Sequence, residues 1–437
     1  MPGYVFVGDA VNIWLVTIVE PLPLDPDVRK LRTGMLADCL VEKGHTLRWW
    51  VSDFEHQRKK MVFESDREVS LSNRLTLQVL HGSGYHKNIS LSRYLDHRIL
   101  AHKFSVYSPK VEPPDVIVAS IPCHHLAYET VRYAHSRKIP VLIDVRDLWP
   151  DVFLDYVKNN FLKRIVKFFL RNDFARLKNL LKNADALLAI SNGCLQWGLE
   201  KAGRQANQWD RVFYLGYEYK QGSSVNVNDA IFTDWLREIK NKKILVFIGT
   251  FGMSYELPLL VQAARRMQNS GMNELCFVIA GTGEQEQTIR RETRGLSNVI
   301  LPGWIGSSEI QMLLSRGYAG LLACRSIEHA LPNKTFEYLS AGLPVISSLE
   351  GEMADMIAKY KLGFNYSPGD LEGLCNAITV LASDQLLHDE MSINALAFFQ
   401  KYGDANVIYT TFAKHIEAFV QSRDKMYRYA GNSNHHK

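Results

Sequence analysis

Short apolar runs alternate with longer stretches of helical spacing along most of the chain. "NIWLVTIV" (12–19) is apolar and rich in β-branched residues, the mark of a buried strand. Residues 28–42 then carry Val28, Leu31, Met35, Leu36, Cys39 and Leu40 at helical spacing, and "GHTLRWWVS" gives a second strand. "DVIVAS" (115–120), "PVLIDV" (140–145), "ALLAIS" (186–191) and "RVFYL" (211–215) follow, with helical patterns between several of them. Residues 220–241 are polar and read as a linker. The pattern then restarts with "KILVFIG" (243–249), "CFVIAG" (276–281), "NVILPG" (298–303), "AGLLAC" (319–324) and "LPVISS" (343–348), each followed by a helical run. Strands alternating with helices predict doubly wound parallel sheets, here in two α/β domains joined near 216–242.

Composition narrows the class. A chain of 437 residues has room for two or three domains, and 46% hydrophobic against 22% charged residues builds real cores. The net charge of +5 fits an anionic partner but is too mild to point to nucleic acid. The six cysteines (Cys39, Cys123, Cys194, Cys276, Cys324, Cys375) are scattered without a CxxC pair, which argues for a reducing compartment and against a disulfide framework or a cysteine-based zinc site. No apolar run is long enough to span a bilayer, and Asp9 and Asn12 interrupt an N-terminus that lacks a basic lead. The expected location is the cytoplasm. The tail 432–437 is expected to be disordered.

Ligands of open α/β sheets bind at the carboxyl ends of strands, where helix starts point N–H groups outward. The Gly249-Thr250-Phe251-Gly252 loop has this setting, although taken alone a plain tight turn is the better explanation. Gly281-Thr-Gly283 resembles a dinucleotide fingerprint for two glycines, but Glu286 takes the third position and would repel a pyrophosphate. No GxxxxGK[ST] occurs. "ALPNKTFEYLSAGLPVISS" (330–348) predicts a helix of two to three turns that starts at Pro332, buries Phe336 and Leu339 and ends at Gly342. Lys334 sits at its start against the macrodipole, with Glu337 three residues on. An anion at the helix start would remove the conflict; a surface Lys–Glu pair is the plain alternative.

The run from "VIAGTGEQEQTI" through "PNKTFEYLSAGLPVISS" to "LGFNYSPGDLEGLCNAI" resembles the C-terminal domain of glycosyltransferase family 4. "RKLRTGMLADCLVEKGHTLRWWVS", "IPVLIDVRDLWPD", "NADALLAISNG" and "FYLGYE" extend the likeness over the N-terminal half, closest in look to bacterial sugar transferases of O-antigen and capsule synthesis. The resemblance implies a GT-B fold, two Rossmann-like domains facing across a cleft. It implies an acceptor domain over 1–218, a nucleotide-sugar domain over 219–404, and a final helix within 405–437 that returns to the first domain. It also implies retaining, metal-independent transfer, with a nucleotide-sugar (UDP-linked) as substrate, no cofactor and no bound metal. The candidates for the Asp-x-Asp of metal-dependent enzymes are Asp25-Pro-Asp27, which reads as turn chemistry, and a few scattered pairs.

By this resemblance Glu337 matches the last glutamate of the family's E-x7-E motif, which holds the nucleotide ribose. The first glutamate falls at His329, with Glu328 beside it; either could contact the donor sugar. The Arg and Lys that usually grip the diphosphate fall near Thr250 and Tyr255, neither of them basic, which shifts weight onto Lys334 and Arg325. The donor set is Gly249, Thr250, Gly252, Gly281, Arg325, Asn333, Lys334, Thr335 and Glu337. The catalytic set is Arg146, Asp147, Lys334, Glu328 and His329. Arg146 of "DVRD" stands where the family carries a histidine. It could hold a phosphate or sugar hydroxyl, or pair with Asp144 or Asp147, or both. Asp147 or Asp144 could orient the acceptor hydroxyl.

Residues 156–182 hold eight Lys or Arg and one acidic residue. Arg164, Lys167, Arg171, Lys178 and Lys182 form one stripe; Leu162, Val166, Leu170, Phe174, Leu177 and Leu181 form another roughly opposite. A helix packed on the sheet explains the stripes but not Phe161 and Phe168, which flank the basic face. The pattern predicts docking on an anionic membrane, the inner face for a cytoplasmic protein. That agrees with a polyprenyl-diphosphate-linked or other glycan acceptor. A nucleotide-sugar 2-epimerase of the same fold and a non-catalytic nucleotide-sugar binder are the alternatives.

Overall fold

The computed structural model describes residues 10–24, 28, 30–56, 58–87, 90–155, 157, 159–218, 235, 239, 241–325 and 331–433. Glu328, His329, Asp25 and Asp27 lie outside them, as do 434–437 and most of the expected linker. Contacts divide the chain into two units: 1–213 with 409–437, and 214–408.

The first unit is built on an eight-stranded sheet in the order Arg211–Val212, Ala186–Ala189, Val141–Val145, Val116–Ile121, Asn12–Val16, Thr46–Ser52, Leu75–Leu80, Arg67–Ser70. All pairs are parallel except the last. Central strands such as VIVASI (116–121) are buried along their whole length, as parallel strands covered on both faces must be. Sequence patterning misses Leu75–Leu80 and Arg67–Ser70, whose outward positions alternate with polar residues.

A buried ion network ties the strand Val141–Val145 to the helix Arg32–Glu42. Arg32 donates through Nε and Nη2 to both oxygens of Asp144 at 2.8 and 2.9 Å, and through Nη1 to the Phe213 carbonyl at 2.6 Å. Arg146 donates to Asp144 at 2.7 Å, to the Thr33 hydroxyl at 2.8 Å and to Glu20. Glu20 in turn accepts from the Thr33 N–H at 2.8 and 2.9 Å and from its hydroxyl at 2.6 Å. This places a carboxylate on the N-terminal amides of the helix, where the macrodipole favours it. The helix Ala405–Ser433 joins this unit from Tyr409 onward: Phe412 stacks on Phe213 at 4.4 Å and Glu417 accepts from Lys43 at 3.0 Å. Its backbone stays helical to Ser433, so 432–433 are not the disordered tail expected from composition.

The stretch 156–182 departs from its expected single stripe pattern. It forms two helices, Asn160–Phe169 and Arg171–Asn183, broken at Leu170. The break resets the helical phase. Leu177, Leu180 and Leu181 are buried, whereas Leu162, expected in the buried stripe, is exposed with Phe161, Ile165, Phe168 and Phe169. No side chain of Asn160–Phe169 is buried.

The second unit holds a six-stranded parallel sheet: Val299–Gly303, Leu275–Ala280, Lys243–Ile248, Gly317–Leu322, Val345–Ser347, Gly363–Asn365. In chain order this is 3-2-1-4-5-6, and the order reverses between Lys243–Ile248 and Gly317–Leu322, the position at which such sheets take ligands.

Asp144 supplies a prediction. Burial alone would raise its pKa, but Arg32 and Arg146 outweigh burial and hold it at about 2 against an ordinary 3.8. Its stabilising contribution is therefore complete above the ordinary value and lost as pH falls from 3.8 through about 2. Asp144→Ala, which strands two buried guanidinium groups, is expected to cost about 3–5 kcal/mol. Denaturant midpoints measured at pH 7 and across this acid range check both; an unchanged midpoint at pH 7 refutes the network's role.

Candidate functional site

The site in the second unit grows from the reversal of its sheet. After the strand Lys243–Ile248 the chain enters the loop 249–252; after Gly317–Leu322 it passes Cys324 and Arg325. The two exits are knitted together. Tyr255 bridges to Cys324, the Glu256 N–H donates to the Ala323 carbonyl at 3.0 Å, and the Arg325 N–H donates to the Ser254 carbonyl at 2.8 Å. The neighbouring exit after Leu275–Ala280 closes on the same loop. Phe251 donates to the Thr282 carbonyl at 2.8 Å, and Gln285 Nε2 donates to the Gly252 and Tyr255 carbonyls at 2.6 and 3.1 Å. Gly281, at φ +144°, has no room for a Cβ, which would run into the Gly249 carbonyl. Its pairing with Gly283, suggestive of a dinucleotide fingerprint, thus serves loop-to-loop packing.

The helix Asn333–Ser340 starts after Pro332, which holds φ −63° and ψ 142°, and ends before Gly342 at φ +69°. It lies close on the sheet because Gly320 leaves space for the Tyr338 ring, and the Tyr338 hydroxyl accepts from the Ile248 N–H at 3.1 Å. Phe336, Tyr338 and Leu339 are fully buried. Asn333, at the first turn, is exposed, whereas Thr335 is buried with its hydroxyl unpaired among the described residues.

Lys334 is 8% exposed, and its ammonium has no hydrogen-bond partner among the described residues. It rests over the rings of Phe247 and Tyr255, 4.3 and 4.0 Å from their centroids, and a Cβ on Gly249 would come within 2.5 Å of Nζ. The surface-pair alternative is therefore excluded: Lys334 points inward, against the loop 249–252. Burial drives its pKa down to about 8, a shift that Cys324 and Glu337 only partly oppose. Glu337, one turn on, is 5% exposed. Arg325 is exposed at the strand exit.

The structure thus brings Gly249, Gly252, Gly281, Lys334 and Glu337 into one neighbourhood, with Thr250 exposed on the loop itself. Sequence reasoning passes over the aromatic seat of Lys334. Its one local signal is Tyr255, which stands where the family's Lys was expected and instead presents its ring to Lys334. Cations over aromatic faces gain about 0.5–2 kcal/mol, so the seat offsets only part of the cost of burying the charge.

In the first unit Arg146 is spent within the ion network: all three guanidinium nitrogens are engaged, by Asp144, Glu20 and Thr33. Of its two readings, the pairing with Asp144 is the one whose contacts are present. Asp147 is half-buried, accepts from the Leu148 N–H at 2.8 Å, and has a pKa raised by burial.

Residues 242–384 match the family described as Glycosyl transferases group 1. A 2-deoxystreptamine N-acetyl-D-glucosaminyltransferase of Niallia circulans is 24% identical over 153 residues; the alignment covers 34% of this chain and 39% of the length of that relative. Two solved structures match over nearly the whole chain. Sucrose-phosphate synthase of Thermosynechococcus elongatus aligns at TM-score 0.67 with 14% identity, covering 94% of this chain and 100% of that one. Anabaena Alr3699/HepE in complex with UDP aligns at TM-score 0.64 with 12% identity, covering 93% and 100%. The chain has the GT-B fold, with two Rossmann-like sheets.

A buried ammonium with no hydrogen-bond partner among the described residues is a liability in the free protein. Lys334→Met, which keeps the volume and removes the charge, is expected to raise unliganded stability by about 1–3 kcal/mol at pH 7. Because the native pKa lies below the ordinary 10.5, wild-type stability should also rise as pH climbs from about 8 toward 10.5, and the variant should lack that rise. Thermal melts of both proteins across this range decide; a destabilised Lys334→Met at every pH contradicts the assignment.

Proposed function

We propose that this protein transfers a sugar from a UDP-linked donor to a lipid-linked or other glycan acceptor in polysaccharide or O-antigen synthesis. The observation that carries this is the desolvated, unpaired Lys334 at the sheet reversal, closed against Gly249 and one turn from Glu337. Breaking the sugar C1–O bond throws charge onto the departing diphosphate. A donor already stripped of water and aimed at that charge stabilises it without reorganising. Lys334 is assigned to the diphosphate, assisted by the Thr250 and Gly252 N–H groups, since those of Gly249 and Phe251 already donate to the Ala280 and Thr282 carbonyls, and by the start of the helix Asn333–Ser340. Glu337 is assigned to the ribose diol, and its carboxylate would accept both hydroxyls. UDP is the nucleotide held by the HepE structure, and this supports the choice of base.

The group 1 match and the resemblance in sequence support retention of configuration, with same-face attack and no enzyme nucleophile. The residues assigned to the diphosphate are cationic and amide groups, which support transfer without a metal there. Asp147 is assigned to the acceptor hydroxyl. Arg146 is assigned to positioning the loop that carries Asp147, since its own donors are occupied.

The helix Asn160–Phe169 supports a membrane-bound acceptor. Phe161, Leu162, Ile165, Phe168 and Phe169 share one exposed face, and Lys163, Arg164 and Lys167 lie on the other side. Such a helix lies in the headgroup layer of an anionic bilayer. Among the described residues no helix is long and apolar enough to cross a membrane.

Calorimetry with UDP and a panel of UDP-sugars, paired with an assay for released UDP, tests the donor assignment. Glu337→Ala is expected to weaken UDP binding tenfold or more, from loss of charged hydrogen bonds of about 1.5–3 kcal/mol. Binding without UDP release, with lipid acceptor present, would instead favour a non-catalytic binder; turnover independent of acceptor would favour an epimerase. Flotation with anionic liposomes tests the membrane face: binding should fall with added salt and in Phe161→Ala/Phe168→Ala/Phe169→Ala, and equal, negligible binding at low and high salt would refute it.

A further inference from the structure

His124 and His125 open the helix His124–Arg137, which leaves the carboxyl end of the central strand Val116–Ile121. Both imidazoles turn toward one oxygen of Asp173 on the helix Arg171–Asn183. His125 Nε2 lies 3.0 Å from Asp173 Oδ1 and His124 Nε2 lies 3.2 Å from the same atom. One ligand atom from each residue fits within a span of 4.8 Å. All three side chains are more than nine-tenths buried: His124 is 1% exposed, His125 6% and Asp173 2%.

Ordinary hydrogen bonding leaves this cluster incomplete. Neither ring nitrogen of His125 has a hydrogen-bond partner among the described residues, although Nε2 stands so close to the carboxylate. An imidazole whose Nδ1 is unpaired among the described residues, and whose Nε2 has only an ion-pair contact with Asp173, is costly in a buried site. Ligation accounts for the geometry. Metal–ligand bonds of about 2.0–2.2 Å place neighbouring ligand atoms roughly 3.0–3.5 Å apart; both histidine–Asp173 separations fall there, and all three ligand atoms lie within 4.8 Å of one another. Two imidazoles and a carboxylate suit divalent first-row transition ions, and three protein ligands leave a further position open. The Tyr94 hydroxyl donates to the Asp173 carboxylate, 3.2 Å from each oxygen, and Arg176 Nη1 donates to Oδ1 at 3.3 Å, so both hold the carboxylate in place.

We propose that His124, His125 and Asp173 bind a divalent transition-metal ion of the Zn²⁺ class. The ion braces the start of the helix His124–Arg137 against the helix Arg171–Asn183, which continues from the amphipathic Asn160–Phe169. It belongs to the first unit and takes no part in the donor assignments, so it stands or falls apart from the transfer reading.

Full-length protein is stripped with chelator, incubated with Zn²⁺, desalted and counted by elemental analysis. One equivalent should be retained, with a melting temperature that rises with Zn²⁺ concentration. His125→Gln and Asp173→Asn should lose the equivalent and the rise while circular dichroism stays unchanged; His102→Ala, an exposed histidine, should keep both. Co²⁺ in the wild-type protein should give visible ligand-field bands typical of low-coordinate nitrogen and oxygen ligation, a readout that does not depend on the variants folding. Failure of the wild type to retain Zn²⁺, absence of Co²⁺ bands, or full retention by His125→Gln would overturn the proposal and leave a buried His–Asp cluster only.

Discussion

The site in the second unit depends on how closely the helix Asn333–Ser340 can lie on its sheet. Gly320 has no side chain, and the Tyr338 ring fills the vacated space while its hydroxyl takes the Ile248 N–H. Everything on the helix is indexed from that seat. With Tyr338 fixed, Lys334 one turn earlier has nowhere to extend except beneath the loop 249–252, over Phe247 and Tyr255. Packing in the core therefore sets the electrostatics of the loop, a link from side-chain volume to site chemistry.

The two units carry sheets of related design and treat the charges at their helix starts differently. In the first, Glu20 occupies the amides at the start of Arg32–Glu42, and Arg146, Arg32 and Asp144 close the network around it. In the second, the charge near the sheet reversal is a cation whose ammonium has no hydrogen-bond partner among the described residues, with Glu337 only one turn away. The first arrangement is electrically complete. The second is complete only when an anion arrives, as stability given up for function would require.

Much of the fold is legible in the sequence because buried parallel strands announce themselves as apolar runs: "NIWLVTIV", "DVIVAS" and "KILVFIG" all fall on strands. What escapes is short or half-exposed, such as the three-residue Gly363–Asn365 and the alternating Leu75–Leu80. The break at Leu170 also escapes, since neither glycine nor proline marks it. Of the site, the helix bounds and the two charges can be read locally from Pro332, Gly342, Lys334 and Glu337. The seat of Lys334 cannot, because it joins a strand residue, a loop residue and a helix residue that only the folded sheet brings together. The same holds for Asp173, which meets His124 and His125 across 49 and 48 positions of chain. Nothing near His124 and His125 in the sequence supplies that partner.

The carboxylate of Glu20 has a consequence for competition. Inorganic phosphate and free nucleotides are abundant in cells, and exposed helix starts attract them without discrimination. At Thr33 and Gly34 such an anion finds its hydrogen bonds already held by a tethered rival that dilution cannot remove. The start of Arg32–Glu42 is itself buried, and its Thr33 and Gly34 amides leave a free anion no vacant donor between them.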